Sequence, residues 1–174
     1  MTKQEIINKL LKKHIDFIEL IKGLSDKDFM FSFENKWTAG QQLDHIVKSV
    51  SPLNMAFSLP KFVIRMFFGK ANRPSKNYDD LVKKYMSKLE TGGVATGKFV
   101  PQAIGLDKKE QLTNSLLKIV KDLSKKIDKY SEVELDEYLL PHPLLGKLTV
   151  REMLFFTIHH VEQHQKITLR NLGR

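Results

Sequence analysis

Apolar side chains recur every three to four residues in four long stretches of the chain, the spacing of helices that each bury one face. In the first stretch, Ile6, Ile7, Leu10, Leu11, Ile15, Phe17, Ile18 and Ile21 predict a helix over about residues 3–23, with Gly23 as its stop. The second begins at Trp37. Thr38 and Gln41 form a T-x-x-Q capping box there, and Ala39, Leu43, Ile46, Val47 and Val50 follow at helical spacing. Pro52 predicts a kink or an end, because proline removes a helix hydrogen bond. The third helix starts after Gly105, with Leu106, Leu112, Leu116, Ile119, Leu123 and Ile127 on one face and lysines on much of the other. The fourth opens at Thr149, where Glu152 completes a T-x-x-E capping box, and runs to about Leu172.

Between the second and third helices lies a long insertion, residues 59–105. It carries the basic, apolar stretch Leu59–Lys70, a short helix from about Tyr78 to Glu90, and the loop Thr91–Gly105. Strand signals are nearly absent. Four long helices with one long crossover between helices 2 and 3 predict an all-α four-helix bundle. With no linker, repeat or low-complexity tract, residues 1–174 read as one domain.

Composition narrows the chemistry. The chain has no cysteine, which excludes disulfides, thiolate metal sites and thiol nucleophiles. No apolar run approaches the roughly 20 residues of a membrane span. Charges at Lys3, Glu5 and Lys9 argue against a secretory signal, so a cytoplasmic protein is the expectation. The net charge of +9 leaves room for an acidic partner. The excess is spread along solvated helix faces, and neither a helix-turn-helix nor a basic stretch interleaved with stacking aromatics accompanies it, which disfavours nucleic acid. The segment Leu59–Phe68 reads as packing over the bundle or at a subunit contact rather than on a membrane.

The chemistry-bearing residues are histidines. His160 and His164, at i and i+4 on the fourth helix, stack on one face with Met153, Phe156 and Ile167, and two imidazoles so placed can share a transition-metal ion. His159 shares a wetter face with Glu152, Phe155, Gln163 and Lys166 and looks sideways. Glu162 stands two positions after His160 rather than one, so the H-E-x-x-H zinc-protease pattern fails. A catalytic zinc usually takes three protein ligands, and His45 on the second helix is the best third candidate. It lies away from the apolar stripe, with Gln42 and Ser49. That placement fits a surface histidine, and equally a polar pocket lined by all three. Asp44 and Glu162 read as surface charges in preference to partners that orient the imidazoles, His142 in Pro141-His142-Pro143 as an exposed turn residue, and Trp37 as packing at the helix start.

The segments Lys36-Trp37-Thr38-Ala39-Gly40-Gln41-Gln42-Leu43-Asp44-His45 and Gly146-Lys147-Leu148-Thr149-Val150-Arg151-Glu152-Met153, running on to His160-x-x-x-His164, resemble the DinB/YfiT-like superfamily. The resemblance implies a four-helix bundle with a three-histidine metal site, His45 from the second helix and His160 and His164 from the last. It implies zinc or nickel, in some members iron, and frequent homodimers. Activities in the family run to metal-dependent hydrolysis and to transfers that use a low-molecular-weight thiol; a small-molecule substrate is the expected partner. Gln163 and Gln165-Lys166 depart from many relatives around the last ligand. Beside the resemblance, three neutral imidazoles favour zinc, nickel, copper or iron over magnesium and calcium. They leave the charge of the ion uncancelled, so that the pKa of a bound water falls towards roughly 7 and this water is the candidate catalytic group. The competing readings are a metal-free basic module for nucleic acid and a stress protein that kept the fold without turnover.

Overall fold

The computed structural model describes residues 1–174. Four long helices form the bundle: α1 (Lys3–Gly23), α3 (Ala39–Ala56), α6 (Lys109–Asp128) and α8 (Val150–Asn171). Around its axis the order is α1, α6, α3, α8, with α8 closing back on α1. A short helix, α2 (Asp26–Met30), links α1 to α3. The long crossover from α3 to α6 carries α4 (Lys61–Phe68), α5 (Tyr78–Glu90) and two single turns of 3₁₀-helix, Gly97–Phe99 and Leu106–Lys108. After α6 come α7 (Glu132–Glu137) and an antiparallel hairpin of β1 (Leu139–His142) and β2 (Gly146–Thr149).

The stripes read from the sequence are the core. Ile6, Leu10, Phe17 and Ile21 of α1 meet Leu43, Ile46 and Val50 of α3, Leu116, Val120, Leu123 and Ile127 of α6, and Leu154, Ile158 and Val161 of α8, all of them buried. Each side chain of this kind contributes roughly 1.5–3 kcal/mol when removed from water. The capping boxes form as expected: Thr38 with Gln41 starts α3 and Thr149 with Glu152 starts α8. They fix where the helices that carry the histidines begin.

Three details differ from the sequence pattern. Helix α3 continues through Pro52 for another turn, to Ala56. Leu106 falls outside the α6 stripe, in the preceding 3₁₀ turn, and is exposed. The hairpin is an addition that periodicity does not signal, because its strands have four residues each. Its turn needs Gly146 at φ +77°, a conformation that costs glycine little. Helix α4 lies over the bundle through Ile64, which is buried, and leaves Phe62, Met66 and Phe67 largely exposed.

An ion pair between a half-buried arginine and a buried carboxylate ties the crossover to α8. Glu152 is fully buried, and its carboxylate accepts two hydrogen bonds from Arg73 at 2.6 and 2.7 Å, together with the main-chain N–H groups of Lys76 and Thr149. The Arg73 guanidinium is the strongest of the influences that hold the Glu152 pKa below its usual range against burial. One capping residue thus serves both the helix start and the crossover.

His14 is the odd polar residue in the core. It is fully buried, its Nδ1–H donates to Leu10 O at 2.8 Å, and its Nε2 has no partner. Burial pushes its pKa down to about 4. The unfolded chain therefore takes up a proton near pH 6.5 that the folded chain refuses until about pH 4. Stability is full above pH 6.5 and falls as pH drops through that window, by up to about 3 kcal/mol from this residue. Denaturant titrations across that range are expected to show the loss, and His14→Leu is expected to make the profile shallower.

Candidate metal centre

Helices α3 and α8 are neighbours in the bundle, and their facing sides bring three imidazoles together. His45 sits in the second turn of α3; His160 and His164 sit one turn apart on α8. The Nε2 atom of His160 lies 3.1 Å from Nε2 of His45 and 3.1 Å from Nε2 of His164. All three residues are buried, and their ligand atoms lie within 4.8 Å of one another.

The other ring nitrogens decide what these atoms are. His45 Nδ1–H donates to Phe99 O at 2.7 Å, in the 3₁₀ turn of the crossover. His164 Nδ1–H donates to Gln42 Oε1, one turn before His45 on α3. Each of these rings therefore presents a bare lone pair at Nε2. A single proton on His160 Nε2 can serve one of those lone pairs well; a cation at their meeting point serves all three. Three nitrogens at about 2.0–2.1 Å from an ion stand roughly 3.3 Å apart in tetrahedral geometry and roughly 3.0 Å apart on an octahedral face. The two 3.1 Å separations from His160 fit either, and all three ligand atoms lie within 4.8 Å of one another.

Burial reinforces the neutral state. It lowers the His45 pKa against the pull of the Phe99 carbonyl. It drives His160 well below the ordinary histidine value, with the neighbouring histidines adding to the effect. In His164 burial, and after it His45, brings the pKa down to about 3. Neutral imidazole is the form that binds metals. Aromatic faces set the ring planes. Trp37 stacks on His164 with 14° between planes and tilts against His45, while Phe156 stacks on His160 at 4.8 Å between centroids.

The polar pocket is thus the correct reading of Gln42, His45 and Ser49. Gln42 and His45 are buried, and the Ser49 hydroxyl donates to His45 O at 2.8 Å. Trp37 does more than pack at a helix start, since it walls the histidine cluster. Asp44 is not a surface charge: it is buried, pairs with Lys48 at 2.7 Å and accepts from Gln102 N at 3.0 Å. Lys48 in turn donates to Val100 O at 3.1 Å. Together they hold the loop whose Phe99 carbonyl orients His45. Glu162 pairs with Lys13 and Lys166 and stays away from the imidazoles, as expected of a surface charge. His159 points aside, edge-on to Tyr78 and Tyr85. His142 corrects the expectation of an exposed turn residue; it is buried, packed edge-on against Phe156 at 4.2 Å.

A cavity of about 660 Å³ opens onto the cluster, a size suited to a small organic molecule. Its walls come from α3, the crossover, the hairpin and α8, and Lys98 is its one formally charged lining residue. The hairpin's share of the wall is what helical periodicity missed; the turn residues Pro141, Pro143 and Gly146 were the available signal. No helix is long and apolar enough to cross a membrane.

The family model for the DinB superfamily matches residues 4–167. No curated protein matches the chain significantly.

The Gln42 contact predicts a measurable dependence. Gln42→Leu frees the His164 ring to turn and to change tautomer, and zinc(II) affinity is expected to fall 10- to 100-fold, about the usual cost of losing a group that orients a ligand. Competition against a chromophoric chelator measures it.

Proposed function

The chain belongs to the DinB superfamily, and from that membership and the histidine geometry we propose that it is a metal-dependent enzyme acting on a small organic substrate. Its ligands are His45, His160 and His164, and zinc or nickel is the preferred ion, with iron as a further option. The reaction class is hydrolysis or a transfer that uses a low-molecular-weight thiol. The observation that carries the reading is the convergence of three buried Nε2 atoms, those of His45 and His164 with their lone pairs inward, on the wall of an organic-sized cavity.

When bound, a divalent transition metal supplies Lewis acidity and lowers the pKa of a coordinated water or thiol. The chain's own residues do the rest. Phe99 O and Gln42 Oε1 keep the protons of His45 and His164 on Nδ1, so that Nε2 stays free to ligate. Trp37 and Phe156 restrict the rotation of the rings against which they pack. Neutral ligands leave the charge of the ion undiminished, which favours an anionic nucleophile or substrate group beside it. The apolar walls exclude bulk water and receive the substrate's body.

Protein purified without an affinity tag and exposed to zinc(II) or nickel(II) is expected to hold one ion per chain by elemental analysis. His160→Ala is expected to lose it while keeping the helical circular-dichroism spectrum. Unchanged metal content in that variant, or no stoichiometric metal in the wild type, overturns the assignment.

A further inference from the structure

The cavity contains a polar group that metal binding leaves unused. His142 ends β1 and is 9% exposed. Its Nδ1 accepts hydrogen bonds from the main-chain N–H groups of Leu144 and Leu145, both at 3.1 Å. A ring nitrogen that accepts two N–H donors carries no proton, so the neutral imidazole holds its proton on Nε2. That Nε2–H donates to no group of the protein, although the ring lines the cavity. Phe156 lies between this ring and His160, in contact with both. A tautomer-fixed donor therefore stands one aromatic ring away from the histidine cluster. Protonating Nδ1 would set its N–H against the two main-chain donors. Burial, and after it the Lys84 ammonium, pushes the His142 pKa down to about 4, so the donor stays neutral at ordinary pH.

The lining sets no negative charge against an anionic ligand. No carboxylate faces the cavity, and its one formal charge is the exposed ammonium of Lys98 on the crossover. Pro52, Leu53, Leu89, Val94 and Leu144 supply apolar wall. We propose that the His142 Nε2–H anchors an acceptor oxygen of an organic anion whose apolar body fills this cavity. The proposal rests on reading the cavity as the substrate site beside the metal.

Asparagine separates the two faces of the ring, because its Oδ1 can replace Nδ1 as acceptor for the turn while nothing replaces Nε2–H. Anilinonaphthalenesulfonate, an apolar anion, and phenylnaphthylamine, the same rings without the sulfonate, serve as fluorescent probes. Wild-type protein is expected to bind the sulfonate at least tenfold more tightly than the amine. His142→Asn is expected to lose most of that preference, and His142→Gln, whose amide N–H reaches the Nε2 position, to regain part of it. An unchanged preference in the Asn variant overturns the proposal. Should that variant fail to fold, long-range proton–nitrogen NMR of the wild type decides. The proposal requires the Nε2–H tautomer at His142 and a displaced His142 resonance on adding the sulfonate; the Nδ1–H tautomer or an unmoved resonance overturns it. Zinc content is expected to match the wild type in both variants. If the wild type binds no zinc, the metal reading fails, and the same probe titrations on metal-free protein still judge His142.

Discussion

Burying three imidazoles with their Nε2 atoms aimed at one another is costly, and the rest of this structure is arranged around that cost. Each ring loses hydration, each is held neutral, and two of them are locked by donation from the opposite nitrogen. A proton on His160 Nε2 serves only one of the two inward lone pairs of His45 and His164 well, and without it all three nitrogens face one another as acceptors. A cation at the centre turns the same arrangement from repulsive to attractive. That is why the cluster supports the proposed reading of a metal site prepared before its ligand arrives.

The preparation extends outward in a traceable order. His45 depends on the Phe99 carbonyl, that carbonyl sits in a loop held by Asp44 and Lys48, and both of those residues lie on α3 beside His45 itself. His164 depends on Gln42, again from α3. The α8 side is anchored at its start by Glu152, which caps the helix and grips Arg73 of the crossover. Thus the crossover is fastened at both ends of its path over the site: by Arg73 on one side and by the 99–102 loop on the other. It walls the cavity while sending Ile64, Leu81 and Tyr85 into the core.

Much of this was legible in the sequence. The four apolar stripes and the capping boxes T-x-x-Q and T-x-x-E gave the bundle, because a one-sided helix in water has to bury its stripe and the caps say where it begins. The pairing of His160 with His164 followed from helical spacing alone. His45 did not: a second long helix made it the best third candidate, but spacing placed it off the stripe, and the resemblance to a family motif was needed to choose the pocket over the surface. The reason is physical. A residue that faces a polar pocket inside a bundle has the same periodic position as one that faces solvent. Asp44 has the same ambiguous periodic position, and the burial of His142 comes from a hairpin of four-residue strands that helical periodicity does not signal. His14, deep in α1 with an unpartnered Nε2, has no chemistry-bearing neighbour in the chain to signal its burial.

Anomalous diffraction from crystals of the zinc-loaded protein tests the central claim most directly. The account predicts a single strong peak per chain at about 2.0–2.1 Å from Nε2 of His45, His160 and His164, with Phe99 O and Gln42 Oε1 still accepting from the Nδ1 atoms of His45 and His164. A chain that takes up zinc only elsewhere, or whose three rings turn away from one another around an empty centre, would contradict it.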